Sequence, residues 1–223
     1  MACASAASFQ PLAGITVVAL EQAIAMPYCT VMLAEMGAEV IKIERTGTGD
    51  VVRGWDDAVH GLSTGFVWVN ANKKSVALDL QSQAHRDALR ERIRGADVFV
   101  ENLTPGAAER LGLSPAQLCE DQPALVACSI SGYGQDGPYR DVKSYDLTVQ
   151  GEAGILLSNG YPGMPAKVGL PITDLIAGSN AAFGIMIRLF ERQRRGLGMT
   201  EQVHPMEHAM EAPGAEPPPD PVR

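Results

Sequence analysis

Residues 15–45 read ITVVALEQAIAMPYCTVMLAEMGAEVIKIER. Two short runs dense in valine and isoleucine, 15–20 and 39–44, flank a helical pattern over 27–36 that ends at Gly37. Strands with so little polar alternation are those covered on both faces. A strand, a helix and a second strand in this order form the unit from which parallel sheets are built. The rhythm continues, with strands expected at 75–80, 97–101 and 125–131 and helices at 83–94, 105–111 and 115–121. The pattern predicts an α/β fold: a Rossmann-like, mostly parallel sheet with flanking helices, followed by the start of a second, smaller domain.

The strongest helix signal runs from Asp174 to about Arg195. Asp174 stands where an N-cap belongs, and Arg192, Arg194 and Arg195 precede Gly196, which completes the boundary signals of a helix. Its apolar body predicts packing on both sides. Residues 45–74, with five glycines between Gly47 and Gly65, read as a loop excursion over the sheet, and 158–173 (SNGYPGMPAKVGLPIT) as a second loop. Residues 1–10 are expected to be a flexible terminus and 11–198 the folded portion. Residues 199–223 carry six prolines and no aromatic residue, which predicts a disordered tail.

Composition narrows the function. Among 223 residues, 18 basic against 26 acidic side chains give a net charge of −8, which argues against a general nucleic-acid binder. No uninterrupted apolar run approaches the ~18 residues of a membrane span. The four cysteines, Cys3, Cys29, Cys119 and Cys128, have no metal-binding spacing, and no leader pattern precedes residue 15. A reduced, cytoplasmic protein is therefore expected. Gly132-Tyr133-Gly134-Gln135-Asp136-Gly137 matches a dinucleotide fingerprint, but Pro138 follows and no helix pattern opens there. His204-Pro205-Met206-Glu207-His208 spells an inverted zinc-protease motif, with a proline where a rigid helix is required.

Two features carry chemical content. Asp174 joins a Gly/Pro-rich loop to a long helix, where backbone N–H groups and the helix dipole favour the ionised carboxylate. Such a group serves as an ordinary N-cap or, once desolvated, as a nucleophile toward an activated acyl group. Arg45, Arg110 and Lys143 fall at strand and loop ends on one side of the expected sheet, a placement suited to a phosphate-bearing ligand or to plain solvation.

The text also resembles the family III CoA-transferases of the CaiB/BaiF type, which include formyl-CoA transferase and α-methylacyl-CoA racemase. The likeness rests on PLAGI (11–15), LAEMGAEVIKIER (33–45), NANKKSVALDL (70–80), ADVFVENLTPG (96–106), SISGYGQDGPY (129–139) and DLIAG (174–178), in register from residue 11 to 198. The resemblance implies Asp174 as catalytic nucleophile, forming an aspartyl anhydride and then an aspartyl-CoA thioester. It implies an acyl-CoA thioester as substrate, with no permanently bound cofactor and no metal, nucleic-acid or membrane partner. It places Ala25, Arg45, Leu78, Asn102, Arg110, Lys143 and Tyr145 at the CoA site, Ala25 through its main chain near the thioester. Ile24 replaces the glutamine of formyl-CoA transferase, which argues against oxalate or formate. Tyr145-Asp146 replaces the His-Asp pair of the racemases, and a tyrosine with pKa near ~10 is a poor base. A transferase acting on succinyl-CoA and a small carboxylic or dicarboxylic acid is therefore expected. The alternatives are a non-catalytic CoA-binding or hetero-assembling fragment and a 2-methylacyl-CoA racemase. Family members form interlocked homodimers and are about twice as long, so the resemblance also implies a C-terminally truncated chain that lacks the lid over the thioester.

Overall fold

The computed structural model describes residues 10–198 and 200–203. Five strands, β1 (Thr16–Leu20), β2 (Glu39–Arg45), β3 (Lys74–Leu78), β4 (Val98–Glu101) and β5 (Val126–Ile130), lie parallel in the order β3-β2-β1-β4-β5. Helices α1 (Ala25–Glu35), α2 (Thr64–Val69), α3 (Gln83–Arg94), α4 (Ala107–Arg110) and α5 (Pro115–Asp121) are interleaved with them. After β5 come α6 (Asp146–Glu152), α7 (Ile155–Ser158), a small antiparallel pair β6 (Gly160–Tyr161) and β7 (Met164–Pro165), and α8 (Ile172–Arg195). A sixth parallel strand, β8 (Thr200–Val203), pairs with β5.

The side-chain period of two divides the core. Val17 and Ala19 of β1 join Val98, Val100, Val126 and Cys128 beneath α1 and α8. Val18 and Leu20 face the other way, with Ile41, Ile43 and Phe99, and pack on Leu89 and Ile93 of α3. Leu89 and Ile93 are four apart, so one stripe of α3 closes this second layer. The result is helix, sheet, helix. Strand order reverses between β1 and β4, which opens a crevice at the carboxyl ends of those strands, where open α/β sheets bind ligands.

Four expectations change. Thr200–Val203, expected in a disordered tail, form an edge strand, because the exposed backbone edge of β5 supplies the hydrogen bonds that local composition cannot. The other tail residues, including the His204–His208 motif, and residues 1–9 lie outside the described residues. Strand β3 is not covered on both faces; it is an exposed edge with Val76 40% accessible. The 45–74 excursion contains a 3-10 turn, Val51–Gly54, and helix α2. Helix α8 is covered on one side only: Ala177, Ala181, Ile185 and Leu189 are buried, whereas Phe183 and Phe190 are 68% and 62% exposed. By length and composition α8 also suits a membrane span, but its buried stripe packs on α1 and the sheet, as a core helix does.

Both ends of α8 are fixed. Near its C-terminus Arg192 donates to Asp97 Oδ1 at 2.9 Å, and Asp97 Oδ2 accepts the Thr16 N–H at 2.8 Å, both at the amino edge of the sheet. The helix is ~36 Å long at ~1.5 Å per residue. Its N-terminus therefore reaches the carboxyl edge, where the strand-order crevice lies.

Candidate active site

The first turn of α8 carries the carboxylate singled out by sequence, though not as an N-cap. Pro171 occupies that position and the helix begins at Ile172. The cap comes from elsewhere in the chain: Asp146 Oδ1 accepts from the Thr173 N–H at 2.9 Å and from Thr173 Oγ1 at 2.7 Å, while Oδ2 accepts from Gln150 Nε2 at 2.7 Å. Buried Gln150 in turn accepts the Val168 N–H at 2.9 Å, tying the preceding loop to α6.

Asp174 is left without a hydrogen bond or ion pair among the described residues. Burial of its carboxyl, reinforced by the Asp146 carboxylate, pushes its pKa up to about 7. This reverses the expectation that helix amides hold it ionised, because the amide beside it, that of Thr173, is already bonded to Asp146. An Asp146→Asn substitution is expected to shift the Asp174 titration downward toward the ordinary aspartate range, since a neutral amide removes the like charge. A carbon-13 NMR titration of the Asp174 carboxyl checks this.

Helices α1 and α8 touch most closely at Gly178, one turn beyond Asp174. A Cβ there would stand 2.5 Å from the Ala25 carbonyl oxygen and 3.1 Å from Tyr28 Cδ1. Leu175 packs with Ala23 and Ile24, so the Asp174 turn lies against the loop between β1 and α1. Ile24, at the N-cap of α1, makes no side-chain cap bond, and Pro27 lacks an N–H, so the start of α1 offers bare main-chain donors. Ala25, buried at the first position of α1, thus lies against α8 at Gly178, one turn beyond Asp174.

The other expected site residues line the carboxyl edge. Arg45 and Leu78 are register partners at the ends of β2 and β3, one and two strands from β1. Arg45 is exposed and lines a shallow depression of about 230 Å³ with Glu44, Gly47, Thr48, Gly49, Arg53, Ser75 and Ala77. That depression belongs to the β2–β3 end rather than to Asp174. Asn102 has its amide committed to protein: Nδ2 donates to the Gln22 carbonyl at 2.8 Å and Oδ1 accepts the Gln22 N–H at 2.9 Å, bridging the β1 and β4 loops. Lys143 is exposed beyond β5, and Tyr145, 70% exposed, occupies the N-cap of α6.

Arg110 has a companion that sequence spacing did not reveal. At Gly106, whose φ of +76° suits glycine, a Cβ would lie 2.9 Å from an Arg110 guanidinium nitrogen and 3.5 Å from one of Arg140. Neither arginine has an ion-pair partner among the described residues. Two exposed guanidiniums converging without a carboxylate form a favourable place for phosphate. Arg45 ends β2 and Lys143 lies beyond β5, and the three strand spacings between those strands span ~14 Å at ~4.8 Å each, a separation suited to an extended anion.

The model of CoA-transferase family III matches residues 12–217, beyond the expected limit of 198. Succinyl-CoA:glutarate CoA-transferase of Mus musculus is 38% identical over 194 residues, 86% of this chain and 44% of that protein. Acetyl-CoA:oxalate CoA-transferase of Acetobacter aceti is 37% identical over 190 residues, 84% of this chain and 49% of that one. A CaiB/BaiF family protein from Brucella suis superposes with a TM-score of 0.87 at 30% identity, covering 93% of this chain and 56% of that one. The chain spans about half the length of the curated relatives it matches. A family model covering nearly the whole described fold, and a sheet that superposes on that family's own structures, lead to one conclusion: this chain belongs to CoA-transferase family III.

Proposed function

We propose that the chain transfers CoA from an acyl-CoA, succinyl-CoA being the suggested donor, to a small dicarboxylic acid through covalent chemistry on Asp174. One observation carries this reading: a buried carboxylate, without a partner among the described residues, sits in the first turn of α8, one turn before Gly178 packs against the first residue of α1. The ionised Asp174 attacks the thioester carbonyl; the C–S bond breaks and CoA leaves as thiolate, giving a mixed anhydride. The thiolate then attacks the aspartyl carbonyl, which releases the first acid and leaves an aspartyl-CoA thioester. The acceptor carboxylate attacks that thioester and the thiolate departs. Its return to the acceptor's carbonyl yields the new acyl-CoA and regenerates Asp174. The main-chain N–H of Ala25, at the uncapped start of α1, would receive the developing oxyanion.

The relatives' names include glutarate, oxalate and D-citramalate, all dicarboxylic acids, which supports that acceptor class. The chemistry calls for no resident cofactor. Buried Cys29, which forms no disulfide, supports a reducing, cytoplasmic setting, and the exposed apolar face of α8 supports a homodimeric assembly. Tyr145, an exposed tyrosine where the racemases carry histidine, speaks against racemase chemistry.

Incubation with succinyl-CoA and glutarate, followed by peptide mass spectrometry, tests the reading. A CoA adduct on Asp174 is expected; CoA binding without any adduct would leave only a binding module. Arg110→Ala and Arg140→Ala are each expected to weaken CoA binding about 10-fold, the order of a lost charge-assisted contact of ~1.5 kcal/mol. Titration calorimetry, with 3′-dephospho-CoA as a second ligand, measures this and shows which phosphate the pair holds.

A further inference from the structure

The reaction just described leaves unused a group of buried charges behind the β1–α1 loop. Lys42 donates to Asp50 Oδ2 at 2.7 Å and to Glu21 Oε1 at 3.5 Å, and its side chain and both carboxylates are at most 1% exposed. Glu21 also accepts from Lys73 at 2.7 Å and from Thr30 Oγ1 at 2.6 Å, while Lys73 reaches the Pro27 carbonyl in the first turn of α1 at 2.9 Å. The Asp50 N–H donates to Glu44 at 2.9 Å, and Glu44 is held by Arg53.

One oxygen of this network leaves the cluster. Asp50 Oδ1 accepts the Val52 N–H, capping its own turn, and the Ala23 N–H from 27 residues away, both at 3.1 Å. Ala23 has φ +61°, a left-handed conformation that an alanine does not adopt without compulsion from its surroundings. Asp50 supplies that compulsion from one side, and Asn102, grasping both main-chain groups of Gln22, from the other. Two residues after Ala23, α1 begins at Ala25, whose carbonyl abuts Gly178 below Asp174.

We propose that Asp50 is a positioning residue for acyl transfer: by accepting the Ala23 N–H it holds the β1–α1 loop in the bend that aims the start of α1 at the thioester carbonyl beside Asp174. Lys42 balances the buried Asp50 charge, and Glu21 links Lys42 to Lys73 beside the first turn of α1. The inference rests on the transferase reading above, since Asp50 acts only through the loop and touches no substrate itself.

Charge-balanced pairs test it. Asp50→Asn/Lys42→Met and Asp50→Ala/Lys42→Met both remove the buried ion pair, but only the first keeps an oxygen for Ala23. With wild type, each is mixed with succinyl-CoA, and the single-turnover rate of adduct formation on Asp174 is read by intact mass, alongside CoA affinity. The expected result is an Asn pair within threefold of wild type and an Ala pair slower by ~10-fold or more, as a small misplacement of a reacting group allows, with CoA affinity equal within twofold. Amide hydrogen exchange at Ala23 adds a readout independent of turnover: protection persists in the Asn pair and falls in the Ala pair. Should the Ala pair not fold, Asp50→Ser/Lys42→Met replaces it, because its hydroxyl can still cap Val52 but falls short of Ala23. Equal rates in the two pairs, whether both fast or both slow, overturn the proposal. A wild-type chain that binds CoA and forms no adduct overturns the transferase reading itself, and this inference with it.

Discussion

Replacing Asp174 with asparagine is expected to abolish the CoA adduct and cut transfer by at least about 10³-fold, the order seen when a covalent nucleophile is deleted. CoA affinity should change little, because the cations proposed to bind it, Arg110 and Arg140 among them, lie on other segments. The wild-type pH dependence follows from the raised titration. Only the carboxylate attacks, and Asp174 is half ionised at about 7, so the adduct rate at low acyl-CoA rises through neutrality and levels off above it. The stability sign runs the other way. Below the ordinary aspartate range near 3.8, folded and unfolded chains both hold the proton. As pH rises toward 7 the unfolded chain ionises first, so folding loses stability, and the full cost is present above about 7. Asp174→Asn escapes that cost and is expected to be more stable than wild type at pH 8, by on the order of 1–3 kcal/mol, with the two converging below pH 4. Urea titrations at pH 4 and pH 8 measure the difference; an asparagine variant less stable at pH 8 would contradict the desolvated carboxylate.

The second large effect concerns Gly178. A methyl group there would lie 2.5 Å from the Ala25 carbonyl oxygen and 3.2 Å from the Cys29 nitrogen, both backbone atoms, so no side-chain rotation relieves the clash. Gly178→Ala must therefore push α1 and α8 apart, at a cost of ~1–3 kcal/mol for overpacking. Separating the helices also moves Asp174 from Ala25, and a displacement near ~1 Å costs up to ~10²-fold in rate. The informative signature is a rate loss that persists under conditions where the variant is fully folded. Gly54→Ala is the control: nothing lies within 4 Å of a Cβ at Gly54. It should change stability by no more than ~0.5 kcal/mol and leave the adduct rate unaltered.

Much of this architecture is legible in local text. Helices α3 and α5 begin and end where sequence signals place them, because Ser82 and Gly95 bracket the first and Pro115 starts the second. Apolar runs mark β1, β2, β4 and β5, since a strand covered by helices has no solvent face to encode; the run at β3 marks a strand too, but one that lies exposed at the sheet edge. The glycine-rich loop after β5 reads as a false dinucleotide fingerprint for the same local reason, and no helix opens in it. Strand β8 is not legible. Four residues in a proline-rich context become a strand because a neighbouring backbone edge is free, and that edge was formed some seventy residues earlier.

The site divides in the same way. Residue order alone identified Asp174 as the carboxylate to watch, placed Arg45 at a strand end and Arg110 on a short helix, and assigned the fold class, because periodicity and boundary chemistry act within a single element; Ala25 came only from the family resemblance. Tertiary structure decided that Asp146 caps α8, that burial and then Asp146 raise the Asp174 pKa, that Arg140 joins Arg110 at Gly106, and that Asp50 holds Ala23. These are contacts between side chains and atoms 27 to 34 positions away in the chain. Their strength is set by burial and distance in space, and neither exists until the sheet has brought its loops to one edge.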